Sequence, residues 1–298
     1  MDTIHRDNEA IKNDMTFVRN SVPILEMGID ALQLDENRQR HDKIMEWISQ
    51  TNFPARQSDF IASTQEGTGQ WFLNSPEFTK WLHGSKETLF CPGIPGAGKT
   101  MIAAIVVDHI SRSLQSNTIG VAFIYCDYKA QADQNALGLL AAILRQMVQA
   151  RPSIAEPVAC LYRQHGDRGT RPSLEEILSA LKLILANYSS VYVIIDALDE
   201  CLDRDGSRSQ LLAKLVDLQR RTDLHLMVTS RFIPDIIEKF RLMLTLEVRA
   251  SDVDVKRFVA GQICRLPKCI QRDEELQALV RDGVVQAVDG MLVYRALI

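Results

Sequence analysis

The sequence lacks several things, and each lack excludes a class of protein. Its six cysteines, Cys91, Cys126, Cys160, Cys201, Cys264 and Cys269, are scattered with no C-x-x-C pair. A clustered zinc site and a disulfide framework are thereby excluded, and the cysteines read as small buried hydrophobes. There is no basic excess: 34 Lys and Arg stand against 38 Asp and Glu, a net charge of −4. That argues against a nucleic-acid coat protein. The longest apolar stretches, such as Ala136 to Leu144, fall far below the roughly 18 residues of a membrane span. The first ten residues, MDTIHRDNEA, are polar and charged and hold no signal-peptide core. The expected location is cytoplasmic. The six histidines share no ligand spacing and read as structural or exposed.

What is there is a packed protein. Apolar residues make up 46% and charged residues 24%, which excludes disorder along the whole chain. The charge is uneven. Residues 1–50 hold ten acidic and six basic side chains, and the remaining 248 balance at 28 against 28. The acidic N-terminal piece is a compositional unit of its own. Within it Ile4, Ile11, Val18, Leu25 and Leu32 recur every seven residues, with Met15, Val22 and Ile29 in a second series. This heptad seam fits either a self-associating coiled coil or an amphipathic helix packed on the body, broken near Pro23. Asn37 to Gln50 reads as a further helix with Trp47 on its apolar side.

Residues 51–85 are rich in turns and aromatics and read as an ordered connector over the next domain. Trp47, Trp71 and Trp81 read as packing residues. The stretch Thr68 to Trp71, just before the glycine-rich loop, is a candidate for contact with a nucleotide base. From residue 86, short apolar strands alternate with amphipathic helices. Strands are expected at Thr88–Cys91, Ile119–Cys126, Val191–Ile195, Leu224–Val228 and Met243–Val248. Helices are expected at Lys99–Leu114, Gln134–Gln149, Leu174–Asn187, Ser209–Arg220 and Ile233–Phe240. Strands without polar alternation, separated by helices, indicate an α/β fold with a parallel sheet buried on both faces. The resulting division is 1–50 helical segment, 51–85 connector, 86–250 core and 251–298 the start of a helical lid.

Gly93-Ile94-Pro95-Gly96-Ala97-Gly98-Lys99-Thr100 fits G-x-x-x-x-G-K-[ST] between an apolar strand and an apolar helix. The loop Gly93, Pro95, Gly96, Ala97 and Gly98 can wrap phosphates with backbone N–H groups, aided by the helix N-terminus. Lys99 can reach the β- and γ-phosphates, and the Thr100 hydroxyl can ligate Mg²⁺. The buried strand VYVIID ends in Asp196, which can hold the Mg²⁺ shell. Asp199 and Glu200 follow three and four positions later. Either can orient or deprotonate an attacking water, and helix capping is the alternative for both. A further strand ends in Thr229-Ser230-Arg231. There Thr229 can sense the phosphate or the water and Arg231 can neutralise transferred charge, unless Arg231 serves a structural ion pair. No N-K-x-D or L-S-G-G-Q signature occurs, so a GTPase and a transporter ATPase lack their marks. A small-molecule kinase is not excluded by the loop alone.

GIPGAGKT, IIDALDEC and TSRFIPDI resemble the fungal NACHT-type (STAND class) P-loop NTPases with a nephrocystin-3-like N-terminal domain. EGTGQWFLNSPEFTKWL, FIYCDYKAQ, LYRQHGDRGTRPS, TLEVRASDVDV and VVQAVDGM support this, over about residue 40 to the C-terminus. The resemblance implies a five-stranded parallel sheet of order 5-1-4-3-2 sandwiched by helices. It implies an ATP/ADP-dependent, Mg²⁺-requiring signalling switch with slow or conditional hydrolysis, acting in non-self recognition or cell death with protein partners. A scaffold that holds nucleotide without turnover is the alternative. Relatives continue into a winged helix and C-terminal repeats. This chain ends at Gly290 to Ile298 inside an apolar run, which suggests a lid cut short.

Overall fold

The two kinds of strand in this sequence sort themselves in the sheet by how much cover they receive. In the computed structural model, which describes residues 35–114, 116–129, 134–150, 155–166, 168–201, 203, 206–263 and 266–288, five strands lie parallel. They are β1 (Thr88–Pro92), β2 (Ile119–Tyr125), β3 (Ser190–Asp196), β4 (Leu224–Ser230) and β5 (Leu244–Thr245). Their spatial order is β2-β3-β4-β1-β5, the expected 5-1-4-3-2 read from the other edge. β1 and β4 are buried at every residue, as unbroken apolar runs require. β2 alternates half-buried and buried residues because it lies at the edge.

The edge is closed by a side chain. In α6 (Ala136–Gln149), Gln146 accepts from Phe123 N–H at 3.1 Å and donates to Phe123 C=O at 2.9 Å. A primary amide matches the strand's own donor–acceptor pair, so a second strand cannot pair at that position. Other helices fill the faces: α5 (Lys99–Ser113), α7 (Glu156–His165), α8 (Leu174–Leu185), α9 (Ser207–Arg221) and α10 (Pro234–Phe240). α8 begins with a reciprocal capping box between Ser173 and Glu176. The expected fifth strand is shorter in strict terms. Yet Leu246 N–H still donates to Phe90 C=O and Val248 N–H to Pro92 C=O, so the chain runs beside β1 to residue 248.

The stretch read as a turn-rich connector is instead three short helices, α2 (Phe53–Ser63), α3 (Gln70–Leu73) and α4 (Pro76–His83). Asn52 and Ser75 cap two of them, each followed by proline in the first turn, where its missing N–H costs nothing. Phe53, Phe72, Phe78 and Trp81 are buried. Trp81 donates its indole N–H to Leu226 C=O at 3.0 Å and packs edge-on to Tyr192. Buried His225 stacks on Tyr192 and bonds Trp81 C=O, a structural role.

The chain divides into two compact units, Met1–Trp47 and Ile48–Ile298. Of the first, only residues 35–47 are described. They belong to helix α1 over 35–48, which buries Ile44, Met45 and Ile48 with Trp47 half-buried. The heptad series through Leu32 and the terminal run Gly290–Ile298 lie outside the described residues. After β5 come α11 (Asp252–Gln262), α12 (Lys268–Gln271) and α13 (Glu274–Val288). Val255 and Val259 of α11 pack with Val280, Val284 and Val285 of α13. Among the described residues no helix is long and apolar enough to cross a membrane.

Candidate functional site

The loop after β1 is pinned at its first residue, where Gly93 N–H donates to Ser230 C=O at 3.0 Å at the end of β4. Pro95 and Gly96 form the exposed tip, and Ala97 turns inward and is buried. Gly98 has φ +90° and leads directly into α5, a backbone that a side chain would strain. Lys99 donates two ammonium N–H groups to loop carbonyls, Gly93 at 2.9 Å and Ile94 at 2.8 Å. An ammonium has three donors, so the third is left for a phosphate oxygen. Burial lowers the Lys99 pKa, while the carboxylates of Asp199 and Asp196 oppose that shift.

One residue on, Thr100 donates its hydroxyl to Asp196 Oδ2 at 2.7 Å. The other oxygen, Oδ1, accepts from Thr229 at 2.6 Å. Burial pushes the Asp196 carboxyl above its usual range, against the two threonine hydroxyls and Lys99, which pull it down. Thr229 is fully buried, and its oxygen also accepts from Ala197 N–H at 2.9 Å. Its hydroxyl is thus engaged with Asp196 and Ala197, at the strand end where the sequence reading placed a sensor of phosphate or water.

Ala197 takes φ +53°, a left-handed conformation uncommon outside glycine. The turn it makes leads into a single 3₁₀ turn, Leu198–Glu200, and separates the two acids that follow. Asp199 turns toward β4, accepting from Arg231 N–H at 2.9 Å and from Arg231 Nε at 2.5 Å. Burial would raise the Asp199 carboxyl, but both Arg231 bonds outweigh it and hold it below the usual range. Glu200 turns the other way and accepts a long 3.4 Å contact from Tyr128 N–H.

Glu200 lines a cavity of about 350 Å³ together with Thr100, Asp196, Cys126, Asp127 and Arg56. Arg56 comes from α2 and donates to Tyr125 C=O and Asp127, both at 3.3 Å. Arg56 belongs to no recognisable local motif and Asp127 lies in the FIYCDYKAQ segment, but the sequence reading gave neither a role. Thr100 and Asp196 offer a hydroxyl and a carboxylate oxygen side by side. These are the hard donors Mg²⁺ takes when phosphates and water complete its shell. Among the described residues no group of three or more His, Cys, Asp or Glu could hold a metal unaided.

A second pocket lies on the other side of the loop. Trp71, Met101, Ile102, Ile105 and Phe258 give it an apolar lining next to Gly98, and Asp254 of α11 is its acid. Thr68 and Gly69 also line it, so the connector stretch singled out in the sequence does lie beside the loop.

A family model described as Nephrocystin 3, N-terminal, matches residues 67–231, more than half of the chain. The chain belongs to this family. The match takes in the loop, Asp196, Asp199, Glu200, Thr229 and Arg231. This nephrocystin-3 N-terminal family member is also 26% identical over 245 residues to vegetative incompatibility protein HET-E-1 of Podospora anserina. That alignment covers 76% of this chain and 17% of HET-E-1, so the chain spans less than a fifth of that relative's length. Among solved structures it is similar to the Walker-type ATPase PABY2304 of Pyrococcus abyssi, with 12% identity and a TM-score of 0.48. The match covers 72% of this chain and 62% of that one. It is also similar to domain III of the Thermotoga maritima replication initiation protein DnaA, with 13% identity and a TM-score of 0.42, over 78% and 81% of the chains. Motif, strand order and family together make this a P-loop NTPase domain.

Proposed function

We propose that the protein is an ATP/ADP-binding signalling switch whose P-loop site hydrolyses ATP slowly or conditionally. The observation that carries this is the Thr100–Asp196 contact at 2.7 Å, beside an ammonium that keeps one donor for phosphate. In this reading the N–H groups of the loop 93–98 hold the phosphates, and Lys99 neutralises charge between them. Thr100 and Asp196 hold Mg²⁺, which supplies charge neutralisation on the phosphates. Thr229 orients Asp196. The apolar pocket at Trp71 takes the base.

Glu200 is the proposed base, because Asp199 has both oxygens committed to Arg231. Arg231 then acts first as the partner of Asp199, and α2 brings a cation, Arg56, and an acid, Asp59, to the Glu200 cavity. A role in incompatibility or cell-death signalling extends what the name of HET-E-1 says of that protein. Self-association through the N-terminal heptads and binding of protein partners belong to the same proposal, as does a cytoplasmic location.

Lys99→Ala tests the site directly. ATP and ADP binding, measured by calorimetry on the full chain, should fall below detection. Wild-type affinity in that variant would overturn the reading.

A further inference from the structure

α11 is fastened to the turn before α3 by three residues on one of its faces. Asp254, 6% exposed, accepts at Oδ2 from Gly69 N–H at 3.1 Å and from the Trp71 indole N–H at 3.0 Å. Arg257, three residues on, donates to Gly67 C=O, and its guanidinium lies 3.9 Å from Asp254 Oδ1. At Gly261 a Cβ would come within 2.3 Å of Gln65 Cδ, so the end of the Gln65 side chain lies directly over the helix there. Gly69 itself has φ +74°, and a Cβ there would sit 2.8 Å from Ile105 Cδ1.

The energetics make Asp254 more than a surface tie. A carboxylate turned away from water stays charged only if donors replace its hydration. Gly69 and Trp71 supply them. In return Asp254 fixes the height of the turn and the plane of the Trp71 ring, which has one hydrogen-bond donor and one way to use it. Trp71 with Ile102, Ile105 and Phe258 is the apolar wall of the pocket beside Gly98. Phe258 comes from α11 as well, so this wall is complete only when α11 is docked.

We infer that Asp254 is the positioning residue for the nucleobase: it sets Gly69 and Trp71, so that base binding and docking of α11 form one equilibrium. The inference rests on the P-loop reading above and adds a division of labour to it. Phosphate binding depends on the loop. Binding of the purine depends on the lid helix, through Asp254. A ligand with phosphates and no base should bind without holding α11 down, because it makes no differential contact with the docked state.

The test compares Mg–ADP with Mg–tripolyphosphate on the full-length chain. Asp254→Ala should weaken ADP about tenfold, the equivalent of one lost charge-assisted contact, and leave tripolyphosphate within about twofold. Asp254→Asn keeps one carbonyl acceptor and should recover most of the ADP affinity. On the wild-type protein, ADP but not tripolyphosphate should slow amide exchange across 65–71 and 254–261. That measurement stands even if the alanine variant fails to fold. Equal losses for the two ligands, or equal protection by both, would overturn the inference while leaving the P-loop site intact. Wild-type protein that binds neither ligand would overturn the P-loop reading, and this inference with it.

Discussion

Arg231 takes both oxygens of Asp199, one through its backbone N–H at 2.9 Å and one through Nε at 2.5 Å. The Asp199 side chain is 3% exposed and that of Arg231 47%. The pair closes the end of β4 against the turn that carries both acids.

The first prediction concerns acid stability. The folded-state pKa of Asp199 lies below its unfolded value, near the ordinary 3.9 of an aspartate. Its contribution is therefore present above about pH 4 and is lost as pH falls through the depressed folded value. With Arg231 half in solvent the pair is worth about 1 kcal/mol, in the range of exposed pairs. Arg231→Gln should lower stability by about 1 kcal/mol at neutral pH, and the loss should shrink as pH falls through the depressed Asp199 value, so that the acid limb of stability against pH, followed by circular dichroism, is flatter than in the wild type. An unchanged acid limb would mean that the pair does not hold the turn.

The second concerns chemistry. Glu200→Gln should slow single-turnover ATP hydrolysis by about 10²-fold or more, in the range of a lost general base, with ATP affinity retained. Asp199→Asn should lower stability and change the chemical step only a few-fold. The reverse ranking would exchange the two roles.

A third prediction tests the packing under the site. Trp81 is fully buried and bonded to Leu226. Trp81→Ala should cost about 3–5 kcal/mol by urea titration. Trp81→Phe keeps the ring contacts, loses the N–H, and should cost about 1–2 kcal/mol. Near-equal losses for the two variants would show that the hydrogen bond, not the ring, matters there.

The fourth concerns the open edge of the sheet. Gln146→Leu retains bulk and leaves Phe123 N–H and C=O without their partner. It should cost about 1–3 kcal/mol and raise light scattering at high concentration, as the edge becomes available to other chains. Loss of stability without any added association would show that other groups already guard β2.

The strands and the P-loop were legible because their signals are local. An apolar run without polar alternation means a strand covered on both faces, and the glycine spacing fixes the loop. The different partners of Asp199 and Glu200 were not legible. They depend on the sign of one torsion, φ +53° at Ala197, and alanine gives no hint of that. Thr229 was correctly placed at the end of a strand next to the loop, but whether its hydroxyl faces phosphate or Asp196 is a matter of rotamer and register. Arg56 carries no pattern at all, and Asp127 and Asp254, although they lie in the FIYCDYKAQ and TLEVRASDVDV segments, carry no local sign of a role. They reach the two pockets only because α2, the end of β2 and α11 converge there. The helices of 51–85 were hidden because their caps, Asn52 and Ser75 with the prolines behind them, read equally well as turns.

The strand order has a consequence for how the molecule is made. β1 carries the P-loop, but its two neighbours, β4 and β5, come from much later in the chain. While the polypeptide is being synthesised, the loop and α5 emerge long before the strands that will flank them. Gly93 has no Ser230 carbonyl to hold, and Thr100 has no Asp196. A nascent chain therefore carries the complete GIPGAGKT motif without a nucleotide site. The site appears only once β4 has left the ribosome and inserted between β1 and β3, the kind of distant pairing that closes slowly.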